Sequence, residues 1–573
     1  MYTRRKSILM VVVLALVVVV LAQCQPDPPD EFPEPEYNEG EPLPPAQQRP
    51  EVELGREQSL VNGQVMLTGG AEDIRNVVDV VNETTELRLT PVLTTEFTYL
   101  EEFPPPDGQE PDIRQQSRGK RQRATDPLVG RLQDVSTLAI TLLEFPLETH
   151  SVSEAISVTA EVILSGDVEM DTGVVAQPNY VTGFEISGSP WSVEGSPWSV
   201  EGSPGPGANP SPGVTYANDE FWTQWALREA AGINLFTGGE PLEGRTVTEE
   251  GQGVEVAVFD TSPFDREGQY VFTEWGRDGV DPLSVTVSHP LTLPSSNAAD
   301  ISDHGLFVSG LVYAVAPSSN IHLIQVLNDQ GQGEVQALID TLNVYIRDRL
   351  SSNGSLENTV INLSLGTHEP GQDELPEPVR EQIALMLRAW GYPVPDEGPL
   401  PVLALDVMMR LLDIYGASVV AASGNHSAEE AQPLPSQLPA AFSTVVGVTS
   451  NNKGQSQSCY ANNGDLMAPG GDGGNGDADA DGVEDAAPAD GNTCVPTHMT
   501  CASVGGECDF GVVSYSWKEH RGFAYWVGTS FATPLVSGLA ADVIEAGAST
   551  PGNLGPEDVW NVLDCAAGSS GVV

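Results

Sequence analysis

Four residues spread along the sequence have the side chains that nucleophilic catalysis requires. Asp260 ends the apolar stretch 254–259, His304 is followed by a glycine, and Ser530 opens an apolar helical segment. Taken singly, these residues are most often a turn cap, a structural histidine and a helix N-cap. Asn425 ends another apolar strand, where its amide could donate to an oxyanion. A serine nucleophile needs a base, a group that orients the base and an oxyanion donor, and the combination supplies all of them.

The segments around these residues have the pattern of an α/β domain, in which apolar strands alternate with helices. The sequence predicts strands at 254–259, 321–327, 360–365, 418–422 and 444–449, and helices at 304–312, 334–347, 402–415 and 531–546. Continuous apolar strands separated by helices predict a parallel sheet covered by helices on both faces. Active sites of such sheets lie at the carboxyl ends of the strands, so we expect the four side chains to meet there.

From about residue 218 to the C-terminus, the chain resembles the subtilisin-like serine proteases, the subtilases. The blocks that carry the resemblance are VEVAVFD ending at Asp260, DHG around His304, INLSLG at 361–366, VVAASGN ending at Asn425, DLMAPG at 465–470 and GTSFATP around Ser530. Their order Asp, His, Ser is that of subtilisin. The resemblance implies a subtilisin-like peptidase domain at 217–573.

The resemblance also implies a role for each matched residue. Asp260, His304 and Ser530 would form the catalytic triad, and Asn425 would be the oxyanion-hole donor. Substrate-binding backbone and pocket walls would come from Ser364, Leu365, Gly366, Ala422, Ser423 and Gly424. The expected activity is hydrolysis of protein or peptide substrates by a serine endopeptidase, through an acyl-enzyme and with no cofactor for catalysis.

Residues 57–184 have the pattern of a smaller α+β domain. Strands are predicted at 64–68, 87–92, 138–145 and 173–182, and helices at 71–82 and 151–163, the second opened by a capping box of Ser151 and Glu154. The order β-α-β-β-α-β predicts a ferredoxin-like fold. By the resemblance, this domain would be a propeptide that acts as intramolecular chaperone and inhibitor and is cleaved between about Ile186 and Asn218. An inserted basic loop is either a processing site or a solvated loop; its cations are Arg114, Arg118, Lys120, Arg121 and Arg123.

The remaining N-terminal segments predict export and spacing. Residues 1–24 combine a basic start with an apolar run, as in a signal sequence, and Cys24 lies in a lipobox-like context that would allow lipidation. The acidic, proline-rich stretch 25–56 predicts an extended, disordered tether. Residues 185–216 contain GSPWSVE twice and predict a flexible linker. We expect an extracellular or cell-surface protein, with a membrane contact only through an N-terminal lipid anchor.

Charge and cysteine content restrict the partners further. The 573-residue chain has 25 Lys+Arg against 81 Asp+Glu, a formal net charge of −56. This balance disfavours binding to nucleic acid or to anionic lipid surfaces. In an exported chain without a Cys-x-x-Cys pair, cysteines favour disulfides over zinc. The candidates, whose pairing the sequence leaves open, are Cys459, Cys494, Cys501, Cys508 and Cys565.

One acidic loop has the spacing of a calcium site. Carboxylates stand at its positions one, three, five and nine around Gly482, and they belong to Asp477, Asp479, Asp481 and Asp485. Calcium takes several oxygen ligands, so this spacing predicts a structural calcium site. Position twelve is Pro488 rather than the usual Glu, and the alternative is an exposed, glycine-rich acidic loop.

Two alternative functions and several departures from the family pattern accompany this interpretation. A sedolisin-like acid peptidase would have a Glu in place of His304. A catalytically inactive surface binding protein on a protease scaffold would not need to remove its propeptide.

The sequence departs from the family pattern at several places. Ser262 replaces a family glycine, GLFVSG at 305–310 replaces the usual GTHVAG, and the insertions 369–401 and 471–527 are long. These departures concern substrate fit and loop packing rather than proton transfer.

Overall fold

The computed structural model describes residues 34–40, 43–46, 59–97, 103, 138–166, 168–183, 221, 224–228, 250–273, 281–291, 301–367, 374–394, 400–427, 432–451, 457, 458, 460–471, 512–517, 522–548 and 555–567. The signal sequence with Cys24, the basic inserted loop, the repeat linker and the acidic loop with its four aspartates lie outside these residues.

The strands, in chain order, are β1 (Glu36–Asn38), β2 (Leu60–Gly70), β3 (Thr90–Glu96), β4 (Leu138–Glu144), β5 (Val174–Gly183), β6 (Glu255–Asp260), β7 (Gly268–Phe272), β8 (Leu283–Ser288), β9 (Asn320–Gln325), β10 (Gln332–Glu334), β11 (Thr359–Leu363), β12 (Gly366–Thr367), β13 (Ser418–Ala422), β14 (Val445–Asn451), β15 (Leu466–Pro469), β16 (Val512–Ser516) and β17 (Gly522–Trp526). The helices are α1 (Ala71–Thr84), α2 (Val152–Ser165), α3 (Trp225–Arg228), α4 (His304–Val315), α5 (Val335–Asn353), α6 (Glu377–Ala389), α7 (Leu403–Ile414), α8 (Thr529–Ala548) and α9 (Pro556–Ala567).

The C-terminal unit (residues 250–567) supplies eight strands of a nine-stranded sheet with the order β1-β7-β8-β9-β6-β11-β13-β14-β15, and the edge strand β1 comes from the N-terminal tether. From β8 to β15 each neighbouring pair is parallel, whereas β7 runs antiparallel to β8. The predicted parallel sheet of an α/β fold is therefore confirmed.

The central strands bury both faces, which explains why their sequences are continuously apolar. On β6, Val256 and Val258 belong to the apolar cluster that contains α4 and α8. Ala257 and Phe259 belong to the cluster on the opposite face, which contains α5 and α7. Successive side chains of a strand point to opposite sides, so helices must cover both faces of this sheet.

The N-terminal unit (residues 59–183) contains the elements β2, α1, β3, β4, α2 and β5 in that order. Its antiparallel strands are arranged β5-β2-β4-β3, and both helices pack against strand β2. Helix α2 begins with the capping box expected from the sequence, because the Ser151 hydroxyl accepts from the Glu154 backbone and the Glu154 carboxylate accepts from the Ser151 backbone. Such reciprocal bonds satisfy two donors that a helix start otherwise leaves unpaired.

Strand β5 joins the two units into one sheet. It pairs antiparallel with β2 of its own unit, and also with β10 and β12 of the C-terminal unit. Gly183 is the residue opposite both Gln332 and Gly366, so the end of β5 lies between two strands of the C-terminal unit. Next to this junction, helix α2 packs against α6, which forms within the long insertion 369–401.

The disorder predicted for the acidic tether is wrong for its described part. Strand β1 pairs antiparallel with β7 at the edge of the large sheet, and Leu43 and Ala46 are buried. Tyr37 packs its ring against Tyr270, with centroids 5.3 Å apart. The physical reason is the edge strand: β7 offers unpaired backbone groups on one side, and an extended, proline-rich segment can pair with them without a core of its own.

Among the described residues, no helix is both long enough and apolar enough to cross a lipid bilayer.

Candidate active site

Asp260 and His304 form a buried hydrogen-bonded pair. Nδ1 of His304 lies 2.9 Å from Oδ1 and 3.0 Å from Oδ2 of Asp260, and the two residues are 3% and 0% exposed. Oδ1 also accepts from the Thr261 backbone N–H at 2.6 Å. Asp260 is the last residue of β6 and His304 is the first of α4, so two rigid elements position the contact. The arrangement leaves Nε2 of His304 as the nitrogen that can exchange a proton with a substrate or nucleophile.

Gly305 permits this close approach. A Cβ atom at this position would lie 2.2 Å from the Thr261 carbonyl oxygen and 3.0 Å from the Asp260 Cβ. Both neighbours belong to the end of β6 and its following turn, which cannot move away independently. The start of α4 can therefore pack on β6 only with a glycine here, as the sequence suggested.

Ser530 is the second residue of α8, at the carboxyl side of the parallel sheet. Its hydroxyl donates to the Ser364 carbonyl oxygen at 3.1 Å, and the residue is 8% exposed. The first four N–H groups of a helix have no intrahelical partner, and the Ser530 N–H is among them. The positive end of the helix dipole lies at the same place, so this N–H can donate to an anion.

The structure corrects the place of Pro534. The predicted helix 531–546 would place Pro534 in the first turn, where a missing N–H costs nothing, but α8 begins at Thr529, so Pro534 is its sixth residue and lies inside the helix. A residue at 534 would normally donate to the carbonyl of residue 530. That carbonyl instead accepts from the Ser364 hydroxyl at 2.8 Å. Proline thus frees the Ser530 carbonyl for a bond to the neighbouring strand.

Asn425 is oriented by Thr529. Its Oδ1 accepts from both the backbone N–H and the hydroxyl of Thr529, each at 3.0 Å. With the amide oxygen engaged in this way, Nδ2 is the part of the side chain that can donate in the cleft. Asn425 and Ser530 line the same pocket, which places two candidate oxyanion donors together.

Four of the six expected substrate-binding residues line that pocket. Its walls include Leu365, Gly366, Ala422 and Gly424. The other two residues, Ser364 and Ser423, do not line the pocket and contact residues around it. Ser364 bonds to Ser530 in both directions, and Ser423 is fully buried, with its hydroxyl donating to the Asn462 carbonyl.

Sequence reasoning missed further residues at this site. The rings of Trp526 and Phe531 lie 5.2 Å and 5.1 Å from the His304 ring and bury one side of it. His426 and Gln437 line the pocket beside Ser530, as does Gly183 from the N-terminal unit. Trp526 and His426 adjoin the recognised blocks, so proximity in sequence could have suggested them. Gln437 carries no local signal.

The departure at Ser262 creates a polar contact beside the site. Its hydroxyl accepts from the Phe264 N–H at 3.3 Å and lies 3.3 Å from Nε2 of His289. Burial lowers the pKa of His289, and the nearby carboxylates of Glu267 and Asp265 only partly oppose this effect. A neutral imidazole is therefore favoured at this position.

Most residues of the predicted calcium site and of the predicted disulfides lie outside the described part of the chain. Asp477, Asp479, Asp481 and Asp485 are not among them, nor are Cys24, Cys459, Cys494, Cys501 and Cys508. Within the described ranges, no cluster of three or more His, Cys, Asp or Glu side chains could hold a metal ion. Cys565 is an exposed thiol on α9.

Proteases are among the known proteins that are similar to this chain. The chain is 22% identical over 232 residues to the minor extracellular protease Epr of Bacillus subtilis, covering 38% of this chain and 27% of that protein. It is 28% identical over 235 residues to an extracellular serine proteinase of a Thermus species, covering 40% and 45%. The matches thus span less than half the length of either relative. A solved cold-adapted subtilisin-like serine proteinase aligns with 20% identity over 60% of this chain and 90% of its own, at a TM-score of 0.34.

The family assignment rests on the match to a sequence model of the subtilase family. That match covers residues 251–571, which is more than half of the 573-residue chain and includes all four candidate catalytic positions. It also coincides with the C-terminal unit, in which Asp260 ends β6 and Asn425 follows β13. This chain belongs to the subtilase family.

Proposed function

We propose that this chain is an exported serine endopeptidase that cleaves peptide bonds through an acyl-enzyme. The observation that carries the proposal is the buried Asp260–His304 pair, whose imidazole packs against Phe531, the residue that follows Ser530 of the pocket. Family membership alone would leave open an inactive scaffold. An inactive scaffold, however, has no need to keep a carboxylate buried against an imidazole.

His304 would act first as a base and then as an acid. It takes the proton of the Ser530 hydroxyl as the serine oxygen attacks the substrate carbonyl carbon, and it later delivers that proton to the leaving amine. Asp260 accepts from the Nδ1 side, which fixes the tautomer and stabilises the imidazolium. In the resting structure the Ser530 hydroxyl donates to the Ser364 carbonyl, so attack requires rotation of that hydroxyl toward His304.

Asn425 and the backbone of Ser530 would stabilise the tetrahedral intermediate. The Asn425 amide nitrogen and the Ser530 N–H would donate to the oxyanion at the pocket, and the N-terminus of α8 adds its dipole. Water then attacks the acyl carbon in the second half of the reaction, with His304 again as base.

The N-terminal unit would be an inhibitory propeptide. Its strand β5 occupies the groove between β10 and β12, and its last described residue, Gly183, lines the pocket of Ser530. An extended peptide paired on both sides in such a groove resembles a bound substrate chain. Cleavage between about Ile186 and Asn218 would leave the unit in place as a product until it is released.

The proposal also includes export of the protein and one structural calcium site. Residues 1–24 would direct export, with Cys24 as a lipidation site, and both curated relatives are described as extracellular. The acidic loop would bind one structural calcium ion through Asp477, Asp479, Asp481 and Asp485. A calcium-dependent rise of the unfolding temperature that Asp479→Ala removes would support this site; no dependence in the parent protein contradicts it.

A fluorophosphonate probe tests the catalytic assignment. The purified full chain is allowed to mature, its new N-terminus is sequenced, and the probe is added. We expect labelling of the parent protein and none of Ser530→Ala. Ser318→Ala, which changes a half-buried serine that donates to Glu250 and does not line the pocket, is the matched control and should label normally.

Each outcome bears on a different part of the proposal. Labelling that survives Ser530→Ala removes Ser530 as the nucleophile. A parent protein that neither labels nor acquires a new N-terminus would favour the inactive binding scaffold. Activity only in acid, unaffected by His304→Ala, would favour the sedolisin-like mechanism.

A further inference from the structure

The pocket beside Ser530 is very small. With the N-terminal unit in place its volume is about 20 Å³, and its lining includes Gly366 on one wall, Gly424 on the other, Gln437, and Gly183 at the end of β5. A cavity needs roughly 10–15 Å³ to hold one water molecule, so this pocket has room for little more than one. Because Ser530 and Asn425 define where the attacked carbonyl must lie, the side chain of the residue that supplies this carbonyl would enter here.

Gln437 fills the space between the two walls. If Gly366 had a Cβ atom, it would lie 2.5 Å from Oε1 of Gln437; a Cβ on Gly424 would lie 2.7 Å from the same oxygen. Both walls thus lack side chains, and the amide of Gln437 occupies the room that they leave. Gln437 belongs to the C-terminal unit, so it would stay in the pocket after release of the N-terminal unit, whereas Gly183 would leave with β5.

The backbone around Gln437 is fixed to both walls. The Gln437 N–H donates to the Ser423 carbonyl at 2.9 Å, beyond the end of β13. The Thr367 N–H, in β12, donates to the Leu438 carbonyl at 2.9 Å. Residues 437 and 438 therefore bridge the two sides of the cleft, so the Gln437 side chain starts from a rigid position.

The Gln437 side chain is also held at its far end. Its Nε2 lies 2.9 Å from Nδ1 of His426, the residue that follows Asn425. A substrate side chain larger than a methyl or hydroxymethyl group would have to displace the amide, break this hydrogen bond and leave polar groups of the pocket unpaired.

We propose that Gln437, held by His426, restricts the cleaved bond to those that follow a small residue: glycine, alanine or serine. This inference rests on the proposed peptidase activity and adds its substrate class. One surplus or missing methylene in a pocket changes discrimination by ~10–200-fold, so the exclusion of leucine and phenylalanine should be measurable.

Peptide substrates that differ only in the residue before the cleaved bond test the proposal. Matured protein is titrated with the fluorophosphonate probe, and kcat/KM is measured for glycine, alanine, serine, leucine and phenylalanine. We expect the parent protein to prefer alanine over phenylalanine by ~10-fold or more. Gln437→Ala should raise kcat/KM for leucine and phenylalanine by ~10-fold or more, and change that for alanine by less than ~3-fold.

Two further variants make the result decisive. His426→Ala frees the amide without removing it and should shift the preference in the same direction by a smaller factor; it also replaces Gln437→Ala if that variant does not mature. Gln269→Ala changes an exposed glutamine on β7 and should leave the profile unchanged. A parent protein that labels but cleaves after phenylalanine as well as after alanine overturns the inference. Absence of both labelling and cleavage would instead count against the proposed function.

Discussion

The Ser364 hydroxyl donates to the Ser530 carbonyl oxygen at 2.8 Å, and the Ser530 hydroxyl donates to the Ser364 carbonyl oxygen at 3.1 Å. These reciprocal bonds join the start of α8 to the segment that follows β11, so the candidate nucleophile and one pocket wall move together. The first bond is possible because Pro534 has no N–H to donate to the Ser530 carbonyl.

Substitutions of Ser364 and Pro534 should have non-additive effects on the free energy of unfolding, because both residues decide which donor reaches the Ser530 carbonyl. Ser364→Ala leaves the buried Ser530 carbonyl without its donor and should lower the free energy of unfolding by ~1–3 kcal/mol. Pro534→Ala supplies an N–H at the helical position that can replace this donor. The double variant should therefore lose less than the two single variants together, with a coupling of ~0.5–3 kcal/mol. Denaturant unfolding in a Ser530→Ala background, which prevents self-cleavage, measures all four proteins.

Additive effects in this cycle would contradict the role assigned to Pro534. Pro534→Ala should not restore all of the stability that Ser364→Ala removes, because the Ser364 hydroxyl also accepts a hydrogen bond from the Asn362 amide at 3.0 Å.

Asn425 is predicted to act on turnover rather than on substrate binding. Its oxygen is engaged by Thr529, so its nitrogen contributes mainly when the oxyanion forms. Asn425→Ala should lower kcat by ~10²–10³ with KM little changed, the range known for the corresponding donor in subtilisin itself. Steady-state kinetics with one peptide substrate measures both constants. Asn463→Ala, an exposed residue that bonds to the Pro433 carbonyl, should retain parental kinetics; a change confined to KM in Asn425→Ala would contradict the oxyanion role.

Much of the architecture could be predicted from sequence because its causes are local. A buried parallel strand needs a continuous apolar run, and β6, β11 and β13 were located in this way. The capping box at Ser151 and Glu154 follows from spacing alone. The blocks around Asp260, His304, Asn425 and Ser530 predicted which residues the structure brings to one edge of the sheet.

The errors arise where contacts outside a segment's own sequence pattern decide its structure. Strand β3 was predicted at 87–92 but begins at Thr90, because Leu87 and Leu89 pack into the core as a connection. The Asn82 side chain bonds to both the N–H and the carbonyl of Leu89 and fixes this connection before the strand. Gln437 and strand β1 acquire their positions from partners far away in sequence, which no local pattern encodes.

The hydrogen bonds of the Asp73 carboxylate predict that the N-terminal unit loses stability in acid. Burial by itself would raise the pKa of Asp73, but hydrogen bonds from the Thr172 side chain and from the backbone N–H groups of residues 171–173 outweigh it, so the pKa lies below the usual 3.8. These bonds fix the turn that leads into β5. The ionised carboxylate therefore stabilises the folded unit above about pH 3.9, and this contribution is lost as the pH falls through the folded-state pKa.

Thermal unfolding of the full Ser530→Ala chain between pH 7 and pH 3 measures this contribution. Asp73→Asn should lower the unfolding temperature at pH 7, and the difference from the parent should shrink below about pH 4. Asp79→Asn, an exposed position on the same helix, is the control and should follow the parent curve. A difference that stays constant with pH would exclude the Asp73 carboxylate as the titrating group.

Strand β1 predicts slow release of the N-terminal unit after cleavage. It lies in the same cleavage product as β5, so this product would hold the C-terminal unit at two separate places, and bivalent attachment slows dissociation through a high effective concentration. Tyr37 makes several contacts with the C-terminal unit at the second place. Its ring packs against Tyr270, the Arg266 guanidinium lies 6.0 Å from its centroid, and its hydroxyl donates to the Glu267 carbonyl at 2.9 Å.

Removing this aromatic contact should speed activation without changing the active enzyme. An aromatic pair contributes ~0.5–1.5 kcal/mol, so Tyr37→Ala should shorten the lag between cleavage and peptide hydrolysis by ~2–10-fold. The lag is followed with a fluorogenic peptide, and size-exclusion chromatography at matched times reports how much N-terminal product still co-elutes with the C-terminal unit. Leu164→Ala, an exposed apolar residue of the same unit, should retain the parental lag because β1 is intact. If Tyr37→Ala and the parent release the product at the same rate, β1 does not restrain it, and the groove between β10 and β12 alone sets the rate of activation.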